Sequence, residues 1–224
     1  MKLLKICSAL LFTAGVATAS VSAQPADGEE KTAASEPLEF SIREDRFSYV
    51  LPEGYCTLSG LTAVVSRERQ ARDPGNLTPL NIQRCGTHGS DYILIKSPRS
   101  VPPLPLPRAA FLDLLEAELR ATYGTPDSLD GQLREVEEAM DETVQFDQAK
   151  IYLSGRDEHC AYLTGRIRVA NETGQSVVME FGSCGTLVGQ RHIFIHAYAA
   201  QSEGVSPAEL MRRSKELLLG IEPL

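Results

Sequence analysis

The chain has 224 residues, with 22 lysines and arginines against 30 aspartates and glutamates, a formal net charge of −8, and 42% hydrophobic residues. That content is enough to bury the core of one domain or two small lobes, and the acidity argues against nucleic acid as a partner. No Gly-x-Gly-x-x-Gly or phosphate-loop pattern occurs, so the sequence predicts no cofactor.

Lys2 and Lys5 precede an apolar run from Ile6 to Ala19, and Val21-Ser22-Ala23 places small residues at a cleavage site before Gln24. This order predicts a secretory signal peptide over residues 1–23, because the run falls short of the roughly 20 residues of a membrane span. Cys7 lies inside the leader without the small residues that precede a lipidated cysteine. Cleavage removes two lysines and no acids, leaving a net charge near −10 and four cysteines. An even cysteine count in an exported chain predicts disulfides, a periplasmic or secreted location and no stable membrane insertion after cleavage.

Residues 24–39 are small, acidic and proline-bearing, and predict a disordered lead-in to a single domain over 40–224. Phe47 to Leu51 reads as a strand ended by Pro52-Glu53-Gly54. Leu58, Leu61, Val64 and Val65 share one side of a three-turn helix that Asp73-Pro74-Gly75 stops, and Leu77–Gln83 and Tyr92–Lys96 follow as strands. The four prolines between Ser100 and Pro107 predict a stiff extended connector, favoured over a docking segment for a partner's aromatic groove. A helix from Arg108 then buries Phe111, Leu114, Leu115 and Leu119.

Asp127 or Ser128 caps a further expected helix carrying Leu129, Leu133, Val136 and Met140. Its acidic run, Glu135, Glu137, Glu138, Asp141 and Glu142, lacks the oxygen-rich loop of a calcium site and reads as a solvated face. Thr143 to Leu153 leads onward as one or two short strands. The last element is the clearest: Ser206-Pro207-Ala208-Glu209 is a capping box, Leu210, Leu217 and Leu218 form the apolar side, and Gly220 ends the helix.

The centre of the chain is a hairpin. Ala161, Leu163, Gly165, Ile167 and Val169 alternate with Tyr162, Thr164, Arg166 and Arg168, and Val177, Met179 and Phe181 alternate in the same way after the turn signal Asn171-Glu172-Thr173-Gly174. Matching the apolar faces requires an even index sum; 344 leaves a three-residue loop and sets Cys160 opposite Cys184, while 342 and 346 keep the same parity. The pairing Cys160 with Cys184 and Cys56 with Cys85 follows, in preference to a four-cysteine metal site, since no Cys-x-x-Cys spacing occurs. Arg191 to Ala200 is a third strand after a loop over 185–190, and its even residues are expected on the outer face. Cys85-Gly86-Thr87 and Cys184-Gly185-Thr186 echo one another, a similarity better explained by chance and shared turn chemistry than by duplication.

On that reading Arg166, Arg168, His192, His196 and Tyr198 form a candidate face for a small anionic ligand or a partner protein's acidic segment. Its bland counterpart is the polar outer side of an antiparallel sheet. His192 and His196 have the spacing of a metal pair only on a helix, and the Ile193-Phe194-Ile195 context predicts a strand, so no metal is expected. Nucleophilic catalysis by Ser183 or Cys184, with His192 or His196 as base and Glu180 as orienter, is the alternative reading; no Gly-x-Ser-x-Gly elbow accompanies it.

Phe47 to Leu51 running into Pro52-Glu53-Gly54-Tyr55-Cys56, then a helix, further strands and a final capped helix, resembles small exported bacterial proteins and, in outline, the PsbP-like α/β sandwich fold. The resemblance spans about Phe40 to Leu224 and implies a non-catalytic accessory or ligand-binding role. The four cysteines are not a PsbP feature, so no functional residue carries over. The expected fold is α+β: a largely antiparallel sheet with flanking helices, α/β/α sandwich-like, with two disulfides.

Overall fold

The structure, a computed structural model, describes residues 37–87, 89–123, 144–171 and 176–224. The leader, most of the lead-in, the expected helix after Asp127 with its acidic run, and the hairpin turn over 172–175 lie outside them. Along the described chain run β1 (Leu38–Ile42), β2 (Asp45–Tyr49), β3 (Tyr55–Thr57), α1 (Gly60–Ala71), β4 (Asn76–Arg84), β5 (Asp91–Pro98) and α2 (Arg108–Tyr123). Then come β6 (Val144–Arg156), β7 (Ala161–Asn171), β8 (Ser176–Val188), β9 (Arg191–Ala200), α3 (Pro207–Leu219) and β10 (Glu222–Pro223).

The hairpin strands β7 and β8 belong to a seven-stranded sheet in the order β3-β4-β5-β9-β8-β7-β6, with β9 at its centre. Every neighbouring pair in it is antiparallel. The chain leaves β5 through α2, enters the far edge as β6, and meanders back until β9 pairs with β5. One face packs on α2, with Phe111, Leu112, Leu115 and Leu119 buried against Leu163, Ile167, Met179, Phe181 and Phe194. Leu114, expected in that stripe, is 58% exposed: it lies on the other side of the helix from the sheet, and Leu112 takes its place.

The opposite face packs on α3 and on a small sheet, β1-β2-β10. Ser206 caps α3 by accepting the Glu209 N–H at 3.2 Å, and Leu210, Leu217 and Leu218 are buried, each stabilising by about 2 kcal/mol. The helix backbone lies so close to β8 that a Cβ on Gly182 would sit 2.2 Å from the Met211 nitrogen. Arg191, buried at the β8–β9 turn, donates to Glu44 and Asp45 and so ties the small sheet to the large one.

Both disulfides form as expected, Cys56–Cys85 and Cys160–Cys184, with Cα atoms 5.3 and 5.2 Å apart. The hairpin register differs from the expected one. The index sum is 346, pairing Ile167 with Met179 and Tyr162 with Cys184. Cys160 lies just before β7, where Asp157 accepts the N–H groups of His159 and Cys160 at 2.8 and 2.9 Å, and reaches Cys184 diagonally.

A second difference matters more. β8 continues to Val188, and only Gly189 and Gln190, with Gly189 at φ 59°, separate it from β9. The β8–β9 index sum is therefore odd (Ser183 with His196), so even residues of β9 share a face with odd residues of β8. The Cys-Gly-Thr echo has no structural counterpart, since Cys85-Gly86-Thr87 makes a turn and Cys184-Gly185-Thr186 lies inside β8. α1 also departs from expectation: Leu61 and Val64 face solvent at 78% and 42% exposure. The helix instead sets Ser66 toward the sheet, where its Oγ accepts from Asn81 at 2.7 Å.

Candidate functional site

The β8–β9 register splits the five residues expected on one face. His192, His196 and Tyr198 lie on the α2 side, all at most 5% exposed, whereas Arg166 and Arg168 lie on the α3 side and are exposed. They do not form one surface. Period-2 alternation made the even residues of β9 look external, but both faces of this central strand are covered.

On the α2 side, Ser183 Oγ and His196 Nδ1 are hydrogen-bonded at 2.6 Å. Phe194 stacks on the His196 ring with centroids 5.8 Å apart, and His192 packs between Phe194 at 4.6 Å and Phe111 at 4.7 Å. The Nε2 atoms of both histidines have no hydrogen-bond partner among the described residues. Burial holds both imidazoles down to a pKa of about 3, with the Lys96 ammonium adding to the effect at His196. Lys96 itself is buried in an ion pair with Asp73 at 2.9 Å.

A neutral histidine beside a serine hydroxyl has the composition of a nucleophile and its base. Ser183 and His196 are only 1% and 2% exposed, however, and Glu180, expected as the orienter, lies on the opposite face of β8. The pair leaves no room for a substrate and serves to satisfy two polar groups inside the core. Cys184 carries its disulfide and so has no thiol to offer. His192 and His196 flank Phe194 on one strand two rungs apart, a spacing of roughly 13 Å at which two imidazoles do not converge on one ion.

Across the sheet, α3 covers Tyr162, Gly182 and Cys184 and stops short of the outer strands. Two charged groups hold its rim. Asp157 accepts from the Lys215 ammonium and from the Tyr162 hydroxyl at 2.7 Å. Burial alone would raise the Asp157 carboxyl, but these bonds and the two backbone N–H groups outweigh it and hold the pKa well below the usual range. Arg213 donates to Asp91 at 2.9 Å and to the Tyr55 hydroxyl at 3.1 Å; burial and the neighbouring Asp91 push that phenol up to about 12.

Beyond α3 no element of the described residues packs on this face of the sheet. Lys150, Arg166 and Glu180 lie in one row across β6, β7 and β8, and Arg168 occupies the next position along β7. Arg166 donates twice to one oxygen of Glu180, at 2.6 and 2.7 Å, with the arginine side chain 54% exposed and the glutamate 7%. Lys150 and Arg168 are exposed and make no ion pair among the described residues. Tyr152, 58% exposed, sits one row over, opposite Thr164. Lys150 and Tyr152 were not among the expected site residues, although their alternation with Ile151 and Leu153 marks them as outward-facing.

No family model matches the chain, and no curated protein matches it. Among solved structures it is similar to the solution structure of cyanobacterial PsbP (CyanoP) from Synechocystis sp. PCC 6803. That likeness covers 89% of this chain and 98% of that one at 11% identity and a TM-score of 0.40, a weak resemblance in outline.

Proposed function

We propose that the chain is an exported, non-catalytic binding or envelope-accessory domain of the periplasm or the exterior, released by cleavage after Ala23. The leader pattern and the two disulfides support the compartment. No helix of the described residues is long and apolar enough to cross a membrane. The observation that carries the non-catalytic reading is the burial of the one hydrogen-bonded serine–histidine pair among the described residues: Ser183 and His196 are bonded to each other and sealed beneath α2, while Cys184 is oxidised.

That same hydrogen bond is what favours the second reading, a small hydrolase using Ser183 with His196. A fluorophosphonate probe separates the two. The mature protein is expected to emerge from export with Gln24 at its amino end and to remain unlabelled. Probe attached at Ser183, and lost in S183A, would establish the hydrolase and overturn the binding-domain reading.

A further inference from the structure

We infer that the open face of β6, β7 and β8 binds an extended, carboxylate-rich segment of a partner protein. This rests on the reading of the chain as a binding domain and names what it binds. In a chain of net charge −8, the face gathers Lys150, Arg166 and Arg168 around one acid among the described residues, Glu180. Glu180 is nearly buried and committed to Arg166, so it orients that guanidinium, while Lys150 and Arg168 have no ionic partner among the described residues.

The spacing fits an extended peptide. Arg166 and Arg168 are two residues apart on one strand, roughly 6.7 Å, which is the repeat of alternate side chains in any extended chain. Lys150 stands on the adjacent strand, directly opposite Arg166 and about 5 Å away. A segment laid along β7 with acids at alternate positions meets all three cations, and Tyr152 offers an aromatic surface at the edge strand. A flat face gives a small anion no walls to enclose it. Among the described residues it also presents no cluster of large apolar side chains to insert into a lipid surface, Tyr152 being the one large exposed ring. Protein is therefore the partner the face suits.

The test uses the mature, disulfide-bonded protein and a fluorescein-labelled peptide of alternating glutamate and serine, read by anisotropy at low and physiological salt. Wild type is expected to bind, more weakly as salt rises. The double variant K150E/R168E, and its neutral counterpart K150Q/R168Q, should lose about tenfold or more in affinity. Arg212→Glu, an exposed change on α3, should bind as wild type does. Circular dichroism and a thiol count confirm that each variant is folded. Failure of wild type to bind the peptide, or equal affinity in the double variants, overturns the inference. So does binding confined to phosphatidylglycerol vesicles, which would assign the face to a membrane. The fluorophosphonate experiment is independent: a protein that ignores both probe and peptide loses this inference and keeps the non-catalytic reading.

Discussion

The two faces of the seven-stranded sheet are closed by different chemistry. Under α3 the polar groups are ion pairs, Asp157 with Lys215 at the partly exposed rim and Asp91, buried, with Arg213. Under α2 a serine and two neutral histidines lie among aromatic rings, and the one ammonium on that face among the described residues, Lys96, is fully buried and paired with Asp73. A buried charge is tolerated where an ionic partner relieves its desolvation, whereas a buried group without such a partner, as each of these histidines is, stays in its uncharged form. The α3 side also holds the Cys160–Cys184 bridge and the closest helix-to-strand approach.

The contrast is broken most forcefully at the glycines. Gly182→Ala would drive a methyl group into the backbone of α3, which cannot yield locally, and should cost about 3 kcal/mol or more in urea unfolding. Gly185→Ala meets the ends of the Phe194 and Leu115 side chains on the α2 side and should cost less, roughly 1–2 kcal/mol. Equal losses would mean that the two faces are equally tight.

Removing the core bridge with C160A/C184A should cost about 3 kcal/mol, the value for a loop of this length. Mild reductant followed by alkylation and peptide mass mapping should open Cys56–Cys85 first, because Cys85 is exposed whereas Cys160 and Cys184 are fully buried.

Acid should reveal the α2 side. His192 and His196 are held neutral when folded but protonate below about 6.5 when unfolded, so their stabilisation is complete above that pH and is lost as pH falls toward 3. Between pH 7 and pH 5.5 each should contribute a loss of roughly 1 kcal/mol. Asp157, held low when folded, loses its contribution only as pH falls below about 4, so the intermediate window isolates the histidines. A melting temperature that follows the same pH profile in H192F/H196Q as in wild type would place the acid-sensitive groups elsewhere. The smallest effect belongs to the α3 cap: Ser206→Ala should cost about 1 kcal/mol by the same unfolding measurement.

Much of this architecture was legible in the chain itself. Alternation located the hairpin strands, the capping box located α3, and face matching paired the cysteines even though it chose an index sum of 344 where the strands pair at 346. Parity is a property of side-chain pattern, whereas the choice among sums of equal parity depends on turn length, which the pattern does not encode. The candidate face failed at Gly189-Gln190. A tight two-residue turn extended β8 and reversed the parity of β9, carrying His192, His196 and Tyr198 to the far side. Alternation gave no warning, because a strand buried on both sides has no polar face to betray its orientation. Arg166 and Arg168 stayed outside since β7 lies beyond the reach of α3 toward its outer end, and Lys150 joined them through the β6–β7 pairing. α1 misled for a different reason. Its apolar residues are real, but Ser66 and Asn81 set its orientation, and a polar anchor leaves no trace in hydropathy.

The two disulfides join cysteines that are consecutive along the proposed mature chain: 56 with 85, then 160 with 184. For a chain that enters an oxidising compartment amino end first, each cysteine therefore meets its native partner before any later one has emerged. The order of biogenesis and the order of pairing coincide, so oxidation at the pace of export reaches the native connectivity without thiol reshuffling or an isomerase.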